Sequence, residues 1–295
     1  MQKKLFASLL VTVALICACA LAASAVGTLA DDGVYEISTA KELRDLAHLI
    51  ADKQSGYGAA RKASYRLTKD IDMSGITDMV PIGANSSNAF AGTFDGGGHR
   101  IYNLNLVPAE GASGNYWGLF GRVADATITD LTVEGTVTSG GAYVGGIVGL
   151  VASGAAIENC VNRGNVSGTY KVGGVVGENW GGTVKKCGNE GNVSSSVRGV
   201  ATFGTGGIAG RSVAAAAVVS ECYNTGNIRS AAEATGGVVG YMNADGSTLT
   251  NSYSTGNITV KKIKREKALT KAWAGGVAGI VGSKGVIVSN CYSAG

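Results

Sequence analysis

A short glycine motif returns six times at similar steps, and no other feature limits the possible folds of this chain as much. The copies are Gly118-Leu119-Phe120-Gly121, Gly146-Ile147-Val148-Gly149, Gly174-Val175-Val176-Gly177, Gly207-Ile208-Ala209-Gly210, Gly237-Val238-Val239-Gly240 and Gly276-Val277-Ala278-Gly279. Their starts, at 118, 146, 174, 207, 237 and 276, are 28, 28, 33, 30 and 39 residues apart. A second motif follows each copy. Ile128, Leu131, Gly135 and Val137 set offsets of 3, 4 and 2, which return as Ile157, Cys160, Gly164 and Val166 and as Val184, Cys187, Gly191 and Val193. They return again as Val219, Cys222, Gly226 and Ile228 and as Leu249, Ser252, Gly256 and Ile258. Invariant apolar spacing beside variable gaps implies a rigid core with tolerant loops.

A unit of this size with three apolar points cannot bury its own face and must stack on its neighbours. The apolar stretches are short and rich in Val and Ile, which favours strands over helices. There are 47 glycines and only 2 prolines in 295 residues, a composition suited to many turns and to backbone committed to ladders. The fold predicted is therefore all-β: a right-handed parallel β-helix, one repeat per coil, since parallel crossovers are right-handed. A hydrophobic fraction of 45% with 16% charged residues excludes a disordered chain. A net charge of +4 is too small to argue for nucleic-acid binding.

Stacking turns equivalent residues into columns. One column reads Leu131, Cys160, Cys187, Cys222, Ser252, Cys291; a second reads Asn165, Asn192, Asn227, Asn257; a third includes Tyr223, Tyr253 and Tyr292. The structural reading of each outweighs a metal-binding thiol row, an amide recognition face or an aromatic sugar platform. Small thiols pack a tight interior, Asn suits left-handed turns, and stacked Tyr is ordinary cross-strand packing. Coil spacing exceeds what a disulfide tolerates, so Cys160, Cys187, Cys222 and Cys291 are expected to be free.

The ends differ from the repeats. Lys3 and Lys4, an uncharged run from Leu5 to Ala23 and Ala23-Ser24-Ala25 have the order of a secretory signal peptide over 1–25. Secretion follows, with membrane attachment only through an uncleaved signal anchor or a lipid on Cys19. Thr39-Ala40-Lys41-Glu42 is a capping box, and Leu43, Leu46, Ala47 and Ile50 keep helical spacing, so a helix over about 39–53 should cap the first coil. Residues 26–110 form this cap with irregular first coils, and 111–295 form the regular repeats. The last repeat stops at Gly295, before the strand that follows each equivalent glycine, which predicts a fragment of a longer protein.

The order Tyr65-x-Leu67-x-x-Asp70-Ile71-Asp72, Pro81-Ile82-Gly83, Phe90-x-Gly92-Thr93-Phe94-Asp95-Gly96 and Gly118-Leu119-Phe120-Gly121 resembles the GLUG-repeat proteins of bacteria. The likeness covers about 33–295. It implies a β-helical surface protein similar to the non-catalytic repeat region of IgA-specific metalloproteases, or to adhesin-like surface proteins.

Candidates for chemistry are sparse. His48 and His99 are the only histidines, and neither lies in an H-E-x-x-H motif. Asp70, Asp72 and Asp95 could serve a glycosidase or hold Ca²⁺, or simply cap turns. No catalytic residue, metal or cofactor is assigned. A structural or adhesive surface protein is expected, with a polysaccharide-degrading β-helix enzyme, or the non-catalytic N-terminal part of a larger surface metalloprotease, as alternatives. From the last apolar point of a coil to the next glycine motif the gaps run 137 to 146, 166 to 174, 193 to 207, 228 to 237 and 258 to 276. Two are long, and they carry Arg198 and Phe203, then Lys261, Lys262, Lys264, Arg265, Lys267, Lys271 and Trp273. This is the candidate partner-binding patch, suited to an anionic polysaccharide or a host or cell-surface component. The competing reading is a solvated charge run that guards a sheet edge.

Overall fold

A computed structural model describes residues 26–108, 114–196, 203–261 and 272–295. Residues 1–25, read from the sequence as a signal peptide, lie outside these residues. The chain is a parallel β-solenoid. Its described strands form sheets of ten, twelve, six and six strands, and every named pairing is parallel except Thr28–Leu29 with Tyr35–Ile37. One coil shows the pattern. Face 1 is Tyr143–Gly145, face 2 Val148–Ala152, face 3 Ala156–Glu158, and face 4 has two segments, Val161–Asn162 and Asn165–Gly168. The glycine motif turns the chain from face 1 to face 2.

The sequence columns are physical columns. On face 3 Phe94, Ile128, Ile157, Val184, Val219 and Leu249 stand in register. All six are fully buried, each worth roughly 1.5–3 kcal/mol relative to an exposed side chain. Val137, Val166, Val193 and Ile228 form the matching column on face 4. Cys160, Cys187, Cys222 and Cys291 are free, and the first three are buried. Their thiols donate to backbone carbonyls, as Cys160 does to Glu158 O at 3.1 Å.

Faces 1 and 2 approach so closely that glycine is needed for space. A Cβ on Gly145 would lie 2.2 Å from Val148 O, and one on Gly177, on face 2, would lie 2.5 Å from the face-1 Val144 N. The corner from face 3 to face 4 is left-handed in every regular coil. Asp130, Asn159, Lys186, Glu221, Asn251 and Asn290 hold φ between 51° and 55°. The Asn column after the fixed glycine, expected to suit a left-handed turn, is not left-handed. Asn165 opens an extended strand, and the left-handed residue comes one position before the Cys column.

The first coils are filled by aromatics: Tyr65, Phe90, Phe94 and Phe120 pack with centroids 5.2–6.2 Å apart. Helix α1 (Ala40–Ala51) starts at the capping box read from the sequence, with Glu42 N donating to Thr39 Oγ1 and Thr39 N to Glu42 Oε2. It buries Leu43, Leu46, Ala47, Leu49 and Ile50 on this core. Buried Asn88 donates to the Ile50 and Ala51 carbonyls at the helix end. A short helix, α2 (Tyr57–Ala60), was not expected from the sequence.

Candidate functional site

The carboxylates considered for catalysis are tied into structure. Asp70 and Asp72 are exposed on either side of buried Ile71, so they share a face as their spacing requires. Asp70 accepts from Arg100 Nε at 2.8 Å, and that guanidinium holds its carboxyl below the usual range. Asp72 accepts from Asn103 Nδ2 at 2.8 Å and from Ser74 N at 2.9 Å, which also lowers it. Asp95 accepts from Gly97 N in the turn. Neither Asp70 nor Asp72 is raised as a general acid requires. Among the described residues no group of three His, Cys, Asp or Glu could hold a metal. His48 is pinned by Asp52 at 3.0 Å and the Asp78 carbonyl at 2.7 Å. His99 stands 3.5 Å from Asp70.

The first segment of face 4 carries a ladder that changes chemistry along the solenoid. Arg100, Glu134, Arg163 and Glu190 alternate in charge, with contacts of 3.4, 3.5 and 2.8 Å. Tyr223 Oη then donates to Glu190 at 2.8 Å. Partial desolvation works against ionised Glu190, but Tyr223 and Arg163 hold it below the usual carboxylate range. Burial and the Glu190 contact push Tyr223 up to about 12. Beyond it Tyr223, Tyr253 and Tyr292 stack at 5.9 and 5.0 Å with interplanar angles of 20° and 5°. Where the rings face one another the column is cross-strand packing, with no room between them for sugar rings.

The structure adds two features that the sequence reading missed. Asn162, Asn189 and Asn224, two residues after the Cys column, form a fully buried amide ladder. Asn162 Nδ2 donates to Asn189 Oδ1 at 2.8 Å, and Asn189 Nδ2 to Asn224 Oδ1 at 2.7 Å. The signal was present as Cys-x-Asn in three copies. The second feature is a buried charge cluster outside the apolar core. Glu178 pairs with Lys171 at 2.8 Å and Arg211 at 3.3 Å, while Lys171 Nζ lies 3.9 Å from the Tyr143 ring centre. Glu178 Oε1 has no partner among the described residues.

Of the basic patch, the described members are Phe203, Lys261 and Trp273; Arg198, Lys262, Lys264, Arg265, Lys267 and Lys271 lie outside the described residues. Phe203 meets the Tyr170 ring edge-on at 4.8 Å. Lys261 is exposed and follows a face-4 strand, Ile258–Val260. Trp273 is 41% exposed and opens a face-1 strand, two rungs from the residue after Phe203. The two long connections leave the face-4 strands Val193–Ser195 and Ile258–Val260. One strand, Ile228–Ser230, separates these two, so the connections start roughly 10 Å apart.

The strands from which they leave form an open groove of about 440 Å³ on the second segment of face 4. Its polar lining is Asn192, Ser194, Asn227, Arg229, Asn257 and Thr259. The Asn column expected from the sequence is here as an exposed ladder. Asn192 Nδ2 donates to Asn165 Oδ1 at 3.1 Å and Asn227 Nδ2 to Asn192 Oδ1 at 3.4 Å.

No family model matches this chain. Over 148 residues, half of the chain, it is 32% identical to halomucin of Haloquadratum walsbyi, and that stretch spans 2% of halomucin's length. Its fold is similar to the crystal structure of a protein from Bacteroides ovatus provisionally named an immunoglobulin A1 protease. The TM-score is 0.66 at 22% identity, over 90% of this chain and 77% of that one. The resemblance drawn from the repeat motifs and this neighbour agree on a β-helical solenoid.

Proposed function

We propose that this chain is an extracellular, non-catalytic solenoid that presents a rigid surface, in a structural or adhesive role, to an anionic polymer or another cell-surface component. The carrying observation is where the chain varies. Every fixed position of the repeat is spent on columns, corners or the glycine contact between faces 1 and 2. The long extra stretches enter between faces 4 and 1, between residues 196 and 203 and between 261 and 272, whereas the interval from the glycine motif to the second motif changes by two residues at most; the second long stretch is strongly basic in sequence. Long segments on a rigid scaffold are where binding usually sits. The likeness to halomucin and to the Bacteroides ovatus protein supports a role outside the cell. The pairing of Asp70 and Asp72 with donors supports a non-catalytic role.

The test has two arms. A single cysteine replacing exposed Thr255 in a Cys291→Ser background should react with a membrane-impermeant maleimide on intact producing cells. The purified chain should release no reducing ends from polysaccharides. Labelling only after lysis, or release of reducing ends, overturns the proposal.

A further inference from the structure

We propose that the groove on the second segment of face 4 holds one strand of an acidic polysaccharide lying along the solenoid axis. This rests on the reading of the chain as an extracellular binding scaffold and names the surface and the ligand class.

The exposed Asn ladder supplies the first argument. An Asn amide has two N–H donors and two acceptor lone pairs. Asn192 commits one donor to Asn165 and accepts one from Asn227. Asn227 also accepts from the Asn257 backbone N–H at 3.2 Å. The ladder fixes each amide plane and leaves one N–H per rung of Asn192 and Asn227 for a ligand. These donors repeat at the coil spacing of about 4.8 Å, comparable to the length of one sugar ring. The order is built before the ligand arrives, so little side-chain entropy is lost on binding.

The backbone supplies the second. Ser194 pairs with Arg229 and Arg229 with Thr259 within the sheet. The ladder is filled on both sides of Ser194 and Arg229, so no peptide can add as a strand between them, and of the groove's strands only Ile258–Val260 has an open edge among the described residues. An occupant that lies across these strands must bond to hydroxyl, amide and guanidinium side chains, which suits a polymer of hydroxyls and carboxylates.

Charge supplies the third. No acidic residue lines the groove. Arg229 is exposed and forms no ion pair among the described residues. Lys261, also exposed, donates its backbone N–H to Ser230 O beside the groove. No aromatic ring lines the groove, so the stacking platform that single-stranded nucleic acid uses is missing there.

The test measures binding of the purified chain to polygalacturonate by titration calorimetry over a salt series, with neutral dextran and single-stranded DNA as comparisons. Asn227→Ala with Arg229→Ser removes the centre of the groove. Lys185→Ser with Thr250→Ala, on face 3, removes the same charge elsewhere. All four side chains face outward, and circular dichroism checks that each variant is folded. The parent should bind polygalacturonate more tightly than dextran or DNA. The groove variant should lose about tenfold or more, about 1.4 kcal/mol, and the face-3 variant should match the parent. No binding by the parent, equal binding of dextran or DNA, or full binding by the groove variant overturns the proposal. Because this measurement uses purified chain, its failure is distinct from failure of the intact-cell labelling.

Discussion

Replacing Asn189 by alanine should destabilise the solenoid by about 3–5 kcal/mol, whereas the same change at Asn192, three residues along, should cost about 0.5 kcal/mol or less. The buried Asn189 amide donates to Gly191 O at 2.8 Å and Asn224 Oδ1 at 2.7 Å, and accepts from Asn162 Nδ2 at 2.8 Å. Three neutral bonds at about 1 kcal/mol each give about 3 kcal/mol. The stranded Gly191 and Asn224 oxygens and the space left by the amide add to that. Asn192 makes its ladder bonds in water, which replaces the lost partner. Urea unfolding by far-ultraviolet circular dichroism reads the difference as a shift in midpoint. A solenoid can unfold in parts, so thiol labelling of Cys187 gives a local reading. Burial raises that thiol well above its ordinary pKa, and it is unreactive until its coil opens. Equal midpoints for the two variants would refute the load assigned to the buried ladder.

Three further outcomes follow from particular contacts. Glu178→Ala leaves Lys171 and Arg211 without their shared carboxylate and should cost about 3–5 kcal/mol by thermal or urea unfolding; a loss under about 1 kcal/mol would show that solvent reaches the cluster. Lys186→Asn, at a φ of 52°, should stabilise by up to about 1 kcal/mol because Asn accepts the left-handed region more readily, and a destabilised variant would contradict that corner. The Tyr223 phenol, raised to about 12, should titrate as a late step in phenolate absorbance that Tyr223→Phe abolishes. An unfolded Tyr ionises near 10, so the stability this group contributes is fully present below about pH 10 and is lost as pH rises to about 12.

Much of the fold was legible because a solenoid converts sequence spacing into contacts between adjacent coils. The offsets of 3, 4 and 2 in the second motif needed nothing beyond the stacking rule to become the columns of faces 3 and 4. The capping box marked helix α1 because Thr39 and Glu42 act locally. What escaped detection depends on depth and on contacts across the coil. Asn162 and Asn165 look alike in sequence, yet one is buried against the turn from face 1 to face 2 and the other faces solvent. The left-handed corner is occupied by Lys186 and Glu221 as well as by Asn and Asp, so no composition signal marks it. The Lys171, Glu178 and Arg211 cluster joins faces 1 and 2 of successive coils, a relation that appears only once the glycine contact is seen. The groove was only half legible: its Asn column was read, but the open face beside it required the register of three strands.

The central claim is that one repeat is one coil stacked in register on the next. It can be tested by cross-linking engineered cysteine pairs on face 3, in a Cys291→Ser background, with a short bifunctional thiol reagent. Ser220 and Thr250 are register partners on adjacent coils, whereas Lys185 and Thr250 are two coils apart. The account predicts efficient intramolecular cross-linking for Ser220→Cys with Thr250→Cys and little for Lys185→Cys with Thr250→Cys. Equal yields for the two pairs, or none for the adjacent pair, would contradict the stacked register on which the columns, the groove and the proposed surface depend.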